Sequence, residues 1–303
     1  MVCMLSVVIL TYNESRHIER AIGAVRGIAS EVFVIDSFSK DDTVALARSA
    51  GATVLQHPFV NYAKQYQWAL ENAPITADWV MRLDADEIVE PDLAAEIAAK
   101  LPRLPANVTG INLKRKHIFM GRWIKHGGRY PLTLLRIWRR GKATIEDRWM
   151  DEHMRLTSGR AVTFDGGFAD CNLNDLTYFI DKHNKYATRE AVDVLNRRYH
   201  LFPGDAALTA EGSSRQAAFK RFAKERIYNR LPFWLGPLCY FLYRYFIQLG
   251  FLDGRPGLVY HFLQGFWYRF LVGAKVCELD AALEKVPADD RKAELARLTG
   301  LEL

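Results

Sequence analysis

The chain has 303 residues, half of them hydrophobic, which is enough for one large domain or for one domain with an extension. Its four cysteines are far apart and form no C-x-x-C pair, so the sequence indicates neither a disulfide framework nor a zinc site and fits a reducing cytoplasm. The net charge of +6 is concentrated between residues 211 and 275, where ten lysines and arginines outnumber three acids.

The amino-terminal third alternates strands with helices. Buried strands are predicted at residues 5–10, Glu31–Asp36 and Thr53–Gln56, with a helix after each of the first two. The first strand has no basic segment before it, which favours a core strand over a secretory signal. This alternation predicts an α/β fold with a largely parallel sheet that is covered on both faces.

A strand with an acidic end follows in the sequence WVMRLDADE. Residues 79–83 predict a buried strand, and Asp84, Asp86 and Glu87 come directly after it. Ligands of open α/β sheets bind beyond the carboxyl ends of the strands, where carboxylates can hold Mg²⁺ or Mn²⁺ against a diphosphate. The alternative is a surface turn before a helix that begins at Pro91.

Three further residues have alternative interpretations. Asp36 ends the second strand, where nucleotide-binding sheets place a carboxylate for base or ribose, but an acid there also commonly caps a helix. Lys64 and Gln65 lie in a predicted helix, Tyr62–Asn72, and they face either a ligand or solvent.

Four segments together resemble the family 2 glycosyltransferases of the GT-A fold. They are residues 8–14 (VILTYNE), 34–43 (VIDSFSKDDT), 64–65 (KQ) and 83–87 (LDADE). Their order and spacing are similar to the family over the first 100 residues, and the resemblance extends to about residue 200. It is greatest to bacterial enzymes that extend lipopolysaccharide core or other envelope glycans, including WaaE-type glucosyltransferases. It implies a Rossmann-like, mixed but mostly parallel sheet flanked by helices.

The resemblance also implies a donor site for a nucleotide sugar, most simply a UDP-sugar. The residues expected to contact the donor are Thr11, Tyr12, Glu14, Asp36, Lys64 and Asp84. Asp86 is expected to ligate Mn²⁺ or Mg²⁺. The chain departs from the family pattern twice at this site. The usual Asp-Asp-Gly-Ser-x-Asp is here DSFSKD at residues 36–41, and the arginine expected after Lys-Gln is Tyr66.

Residues 145–154 are dense in carboxylates. Inverting glycosyl transfer needs a base for the acceptor hydroxyl, and the segment Met150-Asp151-Glu152 resembles the part of the family that carries it. The resemblance therefore implies Glu152 as base, Asp151 as second choice and Asp147 as third. Glu146 is expected to form a salt bridge with a neighbouring arginine, Arg148 or Arg155.

The segments before and after these acids indicate local structure more clearly than function. A basic loop, residues 120–130, either neutralises an anionic substrate or lies at the surface. Residues 165–175, rich in glycine and asparagine, predict a loop, and a helix is expected from Asp181 through Leu195.

The character of the chain changes after residue 211. Residues 219–270 hold 17 of the 37 aromatic residues, together with most of the excess positive charge. Residues 231–252 are nearly long enough to span a bilayer, but Pro232, Pro237, Arg244 and Gln248 interrupt them. Helices lying in the headgroup layer of an anionic membrane are favoured over internal packing and over nucleic-acid binding.

These patterns predict a catalytic domain over residues 1–210 and a membrane-associated helical extension over 211–303. Residues 1–101 of the domain would bind the nucleotide sugar and residues 102–210 the acceptor. The predicted enzyme is an inverting, metal-dependent glycosyltransferase at the cytoplasmic face of the bacterial inner membrane. Its acceptor is a hydroxyl of a lipid-linked or lipopolysaccharide-type glycan. The alternatives are polyprenyl phosphate as acceptor, and a non-catalytic adaptor that binds a nucleotide sugar.

Overall fold

The computed structural model describes residues 4–146, 153–202, 232–301 and 303. The chain forms two compact units, Met1–Leu173 and Asn174–Leu303. The boundary predicted between residues 210 and 211 lies outside the described residues.

The first unit is built on one large sheet. Its strands are β1 (Leu5–Thr11), β2 (Glu31–Asp36), β3 (Thr53–Gln56), β4 (Trp79–Asp84), β5 (Glu87–Val89), β6 (Val108–Phe119), β7 (Arg122–Trp123), β8 (Leu132–Arg139), β11 (Arg160–Thr163) and β12 (Phe168–Cys171). A separate antiparallel pair consists of β9 (Ala143–Ile145) and β10 (Met154–Leu156). The helices are α1 (Ile18–Val25), α2 (Thr43–Ser49), α3 (Tyr62–Asn72) and α4 (Pro91–Lys100), followed by a 3₁₀ turn at Leu101–Arg103.

The sheet has a parallel half and a mixed half. Its order is β3-β2-β1-β4-β8-β6-β12-β5, with β11 and β7 also paired to β6. The first four strands are parallel, whereas β8 runs antiparallel to both β4 and β6. The carboxyl ends of β1, β2 and β4 therefore lie side by side. The predicted mixed, mostly parallel α/β fold is confirmed.

The core lies on both faces of the sheet, because successive side chains of a strand point to opposite sides. On one face, Val7 and Ile9 belong to a buried cluster that includes residues of α1 and α4. On the other face, Val8 packs in a cluster with Tyr66 and Ala69 of α3. The apolar strand sequences thus fix which polar residues remain at the strand ends.

The second unit is helical in its described residues. It contains α5 (Leu176–Tyr199), α6 (Leu235–Leu242), α7 (Gly254–Tyr260), α8 (Tyr268–Leu283) and α9 (Arg291–Thr299). Between them lie π-helical turns at Tyr243–Ile247 and His261–Trp267, and 3₁₀ turns at Gly250–Asp253 and Ala288–Asp290. Leu195, Leu279, Leu283 and Leu295 share a buried cluster. Among the described residues, none of the helices is long and apolar enough to cross a membrane.

Two sequence predictions needed correction. The stretch 165–175 was expected to be a loop, but it contains β12, which pairs with β5 and β6 in the large sheet. The helix expected from Asp181 begins earlier, at Leu176, because the side chain of Asp175 accepts a hydrogen bond from the Tyr178 amide at 2.9 Å and caps it.

Candidate active site

Three of the predicted site residues meet at the carboxyl edge of the parallel strands. In the register of β1 with β2, Thr11 lies opposite Asp36, and in that of β1 with β4, Leu10 lies opposite Asp84. The Thr11 hydroxyl donates a hydrogen bond to Asp36 Oδ1 at 3.1 Å. The parallel topology therefore brings together side chains that are separated by up to 73 positions in the sequence.

Asp36 shapes the loop that follows its strand. Its side chain is fully buried, and it accepts hydrogen bonds from the Ser39 amide at 2.9 Å, the Ser39 hydroxyl at 2.5 Å and Gln56 Nε2 at 3.2 Å. A buried carboxylate with this many donors holds the backbone around it in one conformation. Asp36 does not cap a helix, because its partners lie in the loop and on β1 and β3, and α2 begins only at Thr43. Its contact with a nucleoside stays a prediction.

Two exposed aromatic side chains, those of Tyr12 and Phe38, lie on the loops after β1 and β2. The loops are joined because Asn13 N–H donates to Ser39 Oγ and Lys40 N–H donates to Asn13 Oδ1, both at 2.8 Å. Tyr12 is 53% exposed and Phe38 is 51% exposed. Phe38 has a φ of +59°, at the position where the family pattern has glycine. An aromatic residue in this conformation is strained.

Glu14 is linked to the far end of β12 through a histidine. Its Oε2 lies 2.6 Å from Nδ1 of the buried His17, and His17 Nε2 accepts a hydrogen bond from the Leu173 amide at 2.9 Å. Because Nε2 accepts, the proton of a neutral His17 resides on Nδ1 and is donated to Glu14. Glu14, which is predicted to contact the nucleotide sugar, is therefore oriented through His17 by the segment that follows β12.

Asp84 is held by a phenol and two arginines. Its Oδ1 accepts from the Tyr62 hydroxyl at 2.5 Å and lies 3.5 Å from Arg82 Nε, and its Oδ2 accepts from Arg136 Nη2 at 3.1 Å. Burial alone raises the pKa of Asp84, but Arg136 and Arg82 outweigh burial and hold this pKa well below its ordinary value. Asp84 is therefore an anion, with a quarter of its side chain (26%) exposed.

Glu87 completes this charged cluster from below the surface. It is 1% exposed, and it accepts hydrogen bonds from Arg136, from Arg115 Nη1 at 3.4 Å and from the Asp84 amide at 2.9 Å. Burial raises the pKa of Glu87 to about 8, with the arginines acting against the shift and Asp84 adding to it. Glu87 thus fixes the turn between Asp84 and Asp86 from inside the protein.

Asp86 points to a different partner from Asp84. Its Oδ2 accepts a hydrogen bond from Asn172 Nδ2 at 2.9 Å, and its backbone carbonyl accepts from the Cys171 amide at 2.9 Å. In the part of the chain that the structure describes, no group of three or more His, Cys, Asp or Glu side chains could hold a metal ion. Mg²⁺ at phosphate sites uses one or two carboxylates and takes its other ligands from phosphates and water. A single, partly exposed carboxylate such as Asp86 fits that class of site.

The remaining predicted residues lie in different settings. The Lys64 side chain is exposed on α3, whereas its neighbour Gln65 is buried and donates to Ser37 Oγ and the His57 carbonyl, both at 3.1 Å. Glu152, Asp151 and Asp147 lie outside the described residues, so their roles stay predictions.

The acidic segment, residues 147–152, is flanked by strands β9 and β10. Strands β9 and β10 pair antiparallel, and the Glu146 amide donates to the His153 carbonyl at 3.0 Å. The predicted salt bridge of Glu146 is confirmed, with Arg155 as its partner.

Comparison with known proteins assigns the chain to a family. The sequence pattern described as "Glycosyl transferase family 2" matches residues 6–166, more than half of the chain. The chain belongs to glycosyl transferase family 2. The predicted enzyme class is thereby confirmed, and the adaptor alternative is no longer needed.

Two similar proteins are also glycosyltransferases, one matched over nearly the whole chain and one over about a third of it. The uncharacterized glycosyltransferase RT0209 of Rickettsia typhi is 27% identical over 299 residues, 94% of this chain and 91% of that protein. The uncharacterized glycosyltransferase RC0292 of Rickettsia conorii is 43% identical over 93 residues, 31% of this chain and 32% of that protein. The match thus spans about a third of the length of RC0292.

Among solved structures, the chain is similar to glucosyl-3-phosphoglycerate synthase from Mycobacterium tuberculosis in complex with Mn²⁺, UDP and glucosyl-3-phosphoglycerate. The identity is 24% with a TM-score of 0.32, and the match covers 37% of this chain and 44% of that one. A similarity of this size carries no information about the ligands of this family 2 glycosyltransferase.

Several residues of the site were not predicted from the sequence. Arg82, Arg115 and Arg136 were not assigned to the site, and Glu87 had no predicted role. A signal was nevertheless present, because Arg82 and Arg136 each stand inside a mostly apolar strand sequence, WVMRLD and LTLLRIWR. A charged residue in a buried strand needs a charged partner, and the acidic end of β4 supplies it.

Proposed function

We propose that this family 2 enzyme is an inverting, metal-dependent glycosyltransferase that moves a sugar from a UDP-sugar to a hydroxyl of a membrane-borne glycolipid. The observation that carries the proposal is the grouping of Thr11, Asp36 and Asp84 at one edge of the sheet. Asp86 lies two positions after Asp84, on a turn that Glu87 fixes from inside. Nucleotides bind at such an edge in open α/β folds.

The donor is proposed to lie across the loops after β1, β2 and β4. In this proposal the exposed Tyr12 stacks on the base, and Glu14 and Asp84 accept hydrogen bonds from ribose and sugar hydroxyls. Lys64, which is exposed, pairs with the diphosphate. Asp86 would hold Mn²⁺ or Mg²⁺, which supplies positive charge to the leaving diphosphate when bound. Asn172 orients the Asp86 carboxylate through its amide.

The acceptor hydroxyl needs a base on the face of the sugar opposite the diphosphate. Glu152 is proposed to take the hydroxyl proton as the oxygen attacks the anomeric carbon and the bond from that carbon to the diphosphate breaks. Asp151 is the second candidate. This order of bond changes inverts the anomeric configuration.

The acceptor is proposed to reside in an anionic membrane, as a lipid-linked or lipopolysaccharide-type glycan at the cytoplasmic face of the bacterial inner membrane. What supports this is the coincidence of basic and aromatic residues after position 211. Anionic lipid attracts such segments by about 1 kcal/mol for each cation near the surface.

The test compares Asp86→Asn and Glu152→Gln with Asp289→Asn, a control at an exposed acid of the second unit. Nucleotide sugars are offered with native lipid extract, and both transferred sugar and released UDP are measured by mass spectrometry. We expect each of the two site variants to lose about a hundredfold or more of transfer, while the control keeps normal activity. Unchanged transfer by both site variants would show that the mechanism is wrong.

The same variants distinguish the acceptor class. A polyprenyl phosphate acceptor attacks as an anion and needs no base, so normal turnover of Glu152→Gln on that acceptor would favour it over a hydroxyl. We expect Glu152→Gln to be inactive on glycolipid extract and Asp86→Asn to be inactive on both.

A further inference from the structure

Residues 232–283 of the second unit form a helical hairpin. Its first arm is α6 with the following π turn, and its second arm runs from Gly250 through α7 to α8. The arms are antiparallel, because Phe233 contacts Phe270 at 5.2 Å between ring centroids, and Phe241 contacts Phe262 at 5.9 Å. The bend at residues 248–250 is therefore one end of the hairpin, and Phe233 marks the other.

The charged residues near the bend are inside the hairpin. Arg244 and Asp253 are each 2% exposed, and His261 is fully buried. Arg244 donates a hydrogen bond to Gln264 of the other arm, and its guanidinium lies 5.4 Å from the centre of the Tyr240 ring. The interior of the hairpin near the bend is thus polar.

The outside of the same segment is apolar. We call its exposed residues the apolar tip: Leu242, Tyr243, Phe246, Ile247, Leu249, Phe251, Leu252, Leu258 and Phe262. Ile247 is the most exposed of them, at 71%, and Phe246 is 54% exposed. Between residues 232 and 268 the sequence has three arginine, lysine or acidic residues, and only Arg255 among these is exposed.

Charged side chains inside and apolar side chains outside are the reverse of the arrangement in a protein surrounded by water. Soluble proteins rarely expose contiguous apolar patches of this kind, and they rarely bury charged side chains. In a lipid environment, ionisable residues face the interior of the helical assembly and apolar residues face the acyl chains. We propose that the apolar tip inserts into the acyl-chain layer of one membrane leaflet.

The dimensions and the remaining charge define the depth of insertion. The first arm, Leu235–Ile247, is about 20 Å long at a rise of about 1.5 Å per residue, shorter than a hydrocarbon core of about 30 Å. Arg255 follows the bend and can extend its guanidinium to lipid phosphates. The first arm is therefore too short to cross the bilayer, and insertion is confined to one leaflet, with the bend in the acyl layer and Arg255 within reach of the lipid phosphates.

The inferred lipid is anionic because the charge next to the hairpin is positive. The sequence from 215 to 230 holds six arginines and lysines and one acid, and Arg269 and Lys275 follow on α8. The inference deepens the membrane location in the proposed function, and it does not depend on which sugar is transferred. A second copy of the chain is the competing occupant of the tip.

The experiment measures flotation of the full-length protein with vesicles of phosphatidylcholine alone and with added phosphatidylglycerol. Phe246→Asp/Ile247→Asp is compared with Leu298→Asp, which changes an equally apolar residue of α9 that is 40% exposed. We expect the paired change to weaken binding to both vesicles by about tenfold or more. Leu298→Asp is expected to bind normally, and about 0.5 M NaCl is expected to leave part of the wild-type binding intact.

Arg255→Glu separates charge from insertion. It is expected to weaken binding to the anionic vesicles and to leave binding to phosphatidylcholine unchanged. Because all the altered residues are exposed, circular dichroism should show normally folded variants. Spin labels on the lipid acyl chains should quench a fluorophore at position 247 more strongly than a fluorophore at position 298.

Unchanged flotation of Phe246→Asp/Ile247→Asp would overturn the inference, as would a fluorophore at 247 that no acyl-chain quencher reaches. The inference would also be overturned if the wild type were a dimer in sedimentation velocity and the paired variant were a monomer that still bound vesicles. Donor hydrolysis without lipid tests the proposed function separately, and the paired variant should retain it. Loss of hydrolysis in Asp86→Asn with normal flotation would concern the active site alone.

Discussion

The buried arginine of the candidate site offers a sharp test of the charge arrangement. Arg136 is 3% exposed, and its Nη2 donates hydrogen bonds to both Asp84 and Glu87. Arg136→Met keeps an unbranched side chain of comparable length but removes the positive charge. It leaves Glu87, which is 1% exposed, with the more distant Arg115 as its cation.

We expect Arg136→Met to lower the free energy of unfolding by about 3–5 kcal/mol, because it removes the cation paired with the anionic Asp84 and the hydrogen-bond donor to the buried Glu87. The whole stability of a typical domain is about 5–15 kcal/mol. The variant should therefore unfold at markedly lower urea concentration, followed by circular dichroism and tryptophan fluorescence. Arg48→Met, at an exposed arginine of α2, is the control and should change stability by less than about 0.5 kcal/mol.

A second change identifies the cause of the loss. If the buried Glu87 side chain, left without its Arg136 donor, is responsible, Arg136→Met/Glu87→Leu should recover about 1 kcal/mol or more over Arg136→Met, although Glu87→Leu alone destabilises the wild type. An Arg136→Met variant as stable as the wild type would refute the reasoning. A double variant whose loss is the sum of the two single losses would refute the coupling.

Three further predictions concern single side chains. Phe38→Gly should raise the unfolding free energy by up to about 1 kcal/mol in thermal unfolding, because glycine relieves the positive φ. A lower unfolding free energy would contradict strain at this position. Tyr62→Phe should lose about 1 kcal/mol of unfolding free energy in urea, because its hydroxyl donates to Asp84; no loss would mean that Asp84 has another donor. Burial raises the pKa of Glu31, but hydrogen bonds from Ser6 and Thr76 outweigh burial and lower this pKa below its ordinary value of 4.5. The stabilisation by Glu31 is therefore present above pH 4.5 and is lost as the pH falls through the lowered pKa. Glu31→Gln should lose less stability in acid than the wild type does, and an unaltered acid profile would contradict this.

The amino-terminal fold followed closely from local sequence. The bounds predicted for β2, β3 and α3 agree with the structure, and α4 begins at Pro91 as expected. These elements have a strong apolar period, and a capping residue or a first-turn proline marks the start of each helix. Asn61, for example, accepts a hydrogen bond from the Lys64 amide at 2.8 Å and begins α3.

The elements that were missed depend on partners distant in the chain. β12 is four residues long, in a stretch rich in glycine and asparagine, and it is a strand because β5 and β6 pair with it on either side. Arg136 and Glu87 are 49 positions apart, so their pairing required the register of β8 beside β4. In the hairpin, the sequence predicted apolar faces, but only the packing of the two arms shows that Arg244 and Asp253 point inward.

The two aspartates of the DAD segment differ in what their oxygens already bind. Both oxygens of Asp84 are occupied by Tyr62, Arg82 and Arg136, and two of these partners are permanent cations that would repel a metal ion. Asp86 is oriented by the neutral amide of Asn172, which competes weakly with a divalent cation for a carboxylate oxygen. The arginines that hold Asp84 also stabilise the strand end on which Asp86 is carried. We therefore expect Asp84→Asn to reduce stability. If Asp86 is the metal ligand, as proposed, Asp86→Asn should reduce Mn²⁺-dependent donor hydrolysis at normal stability.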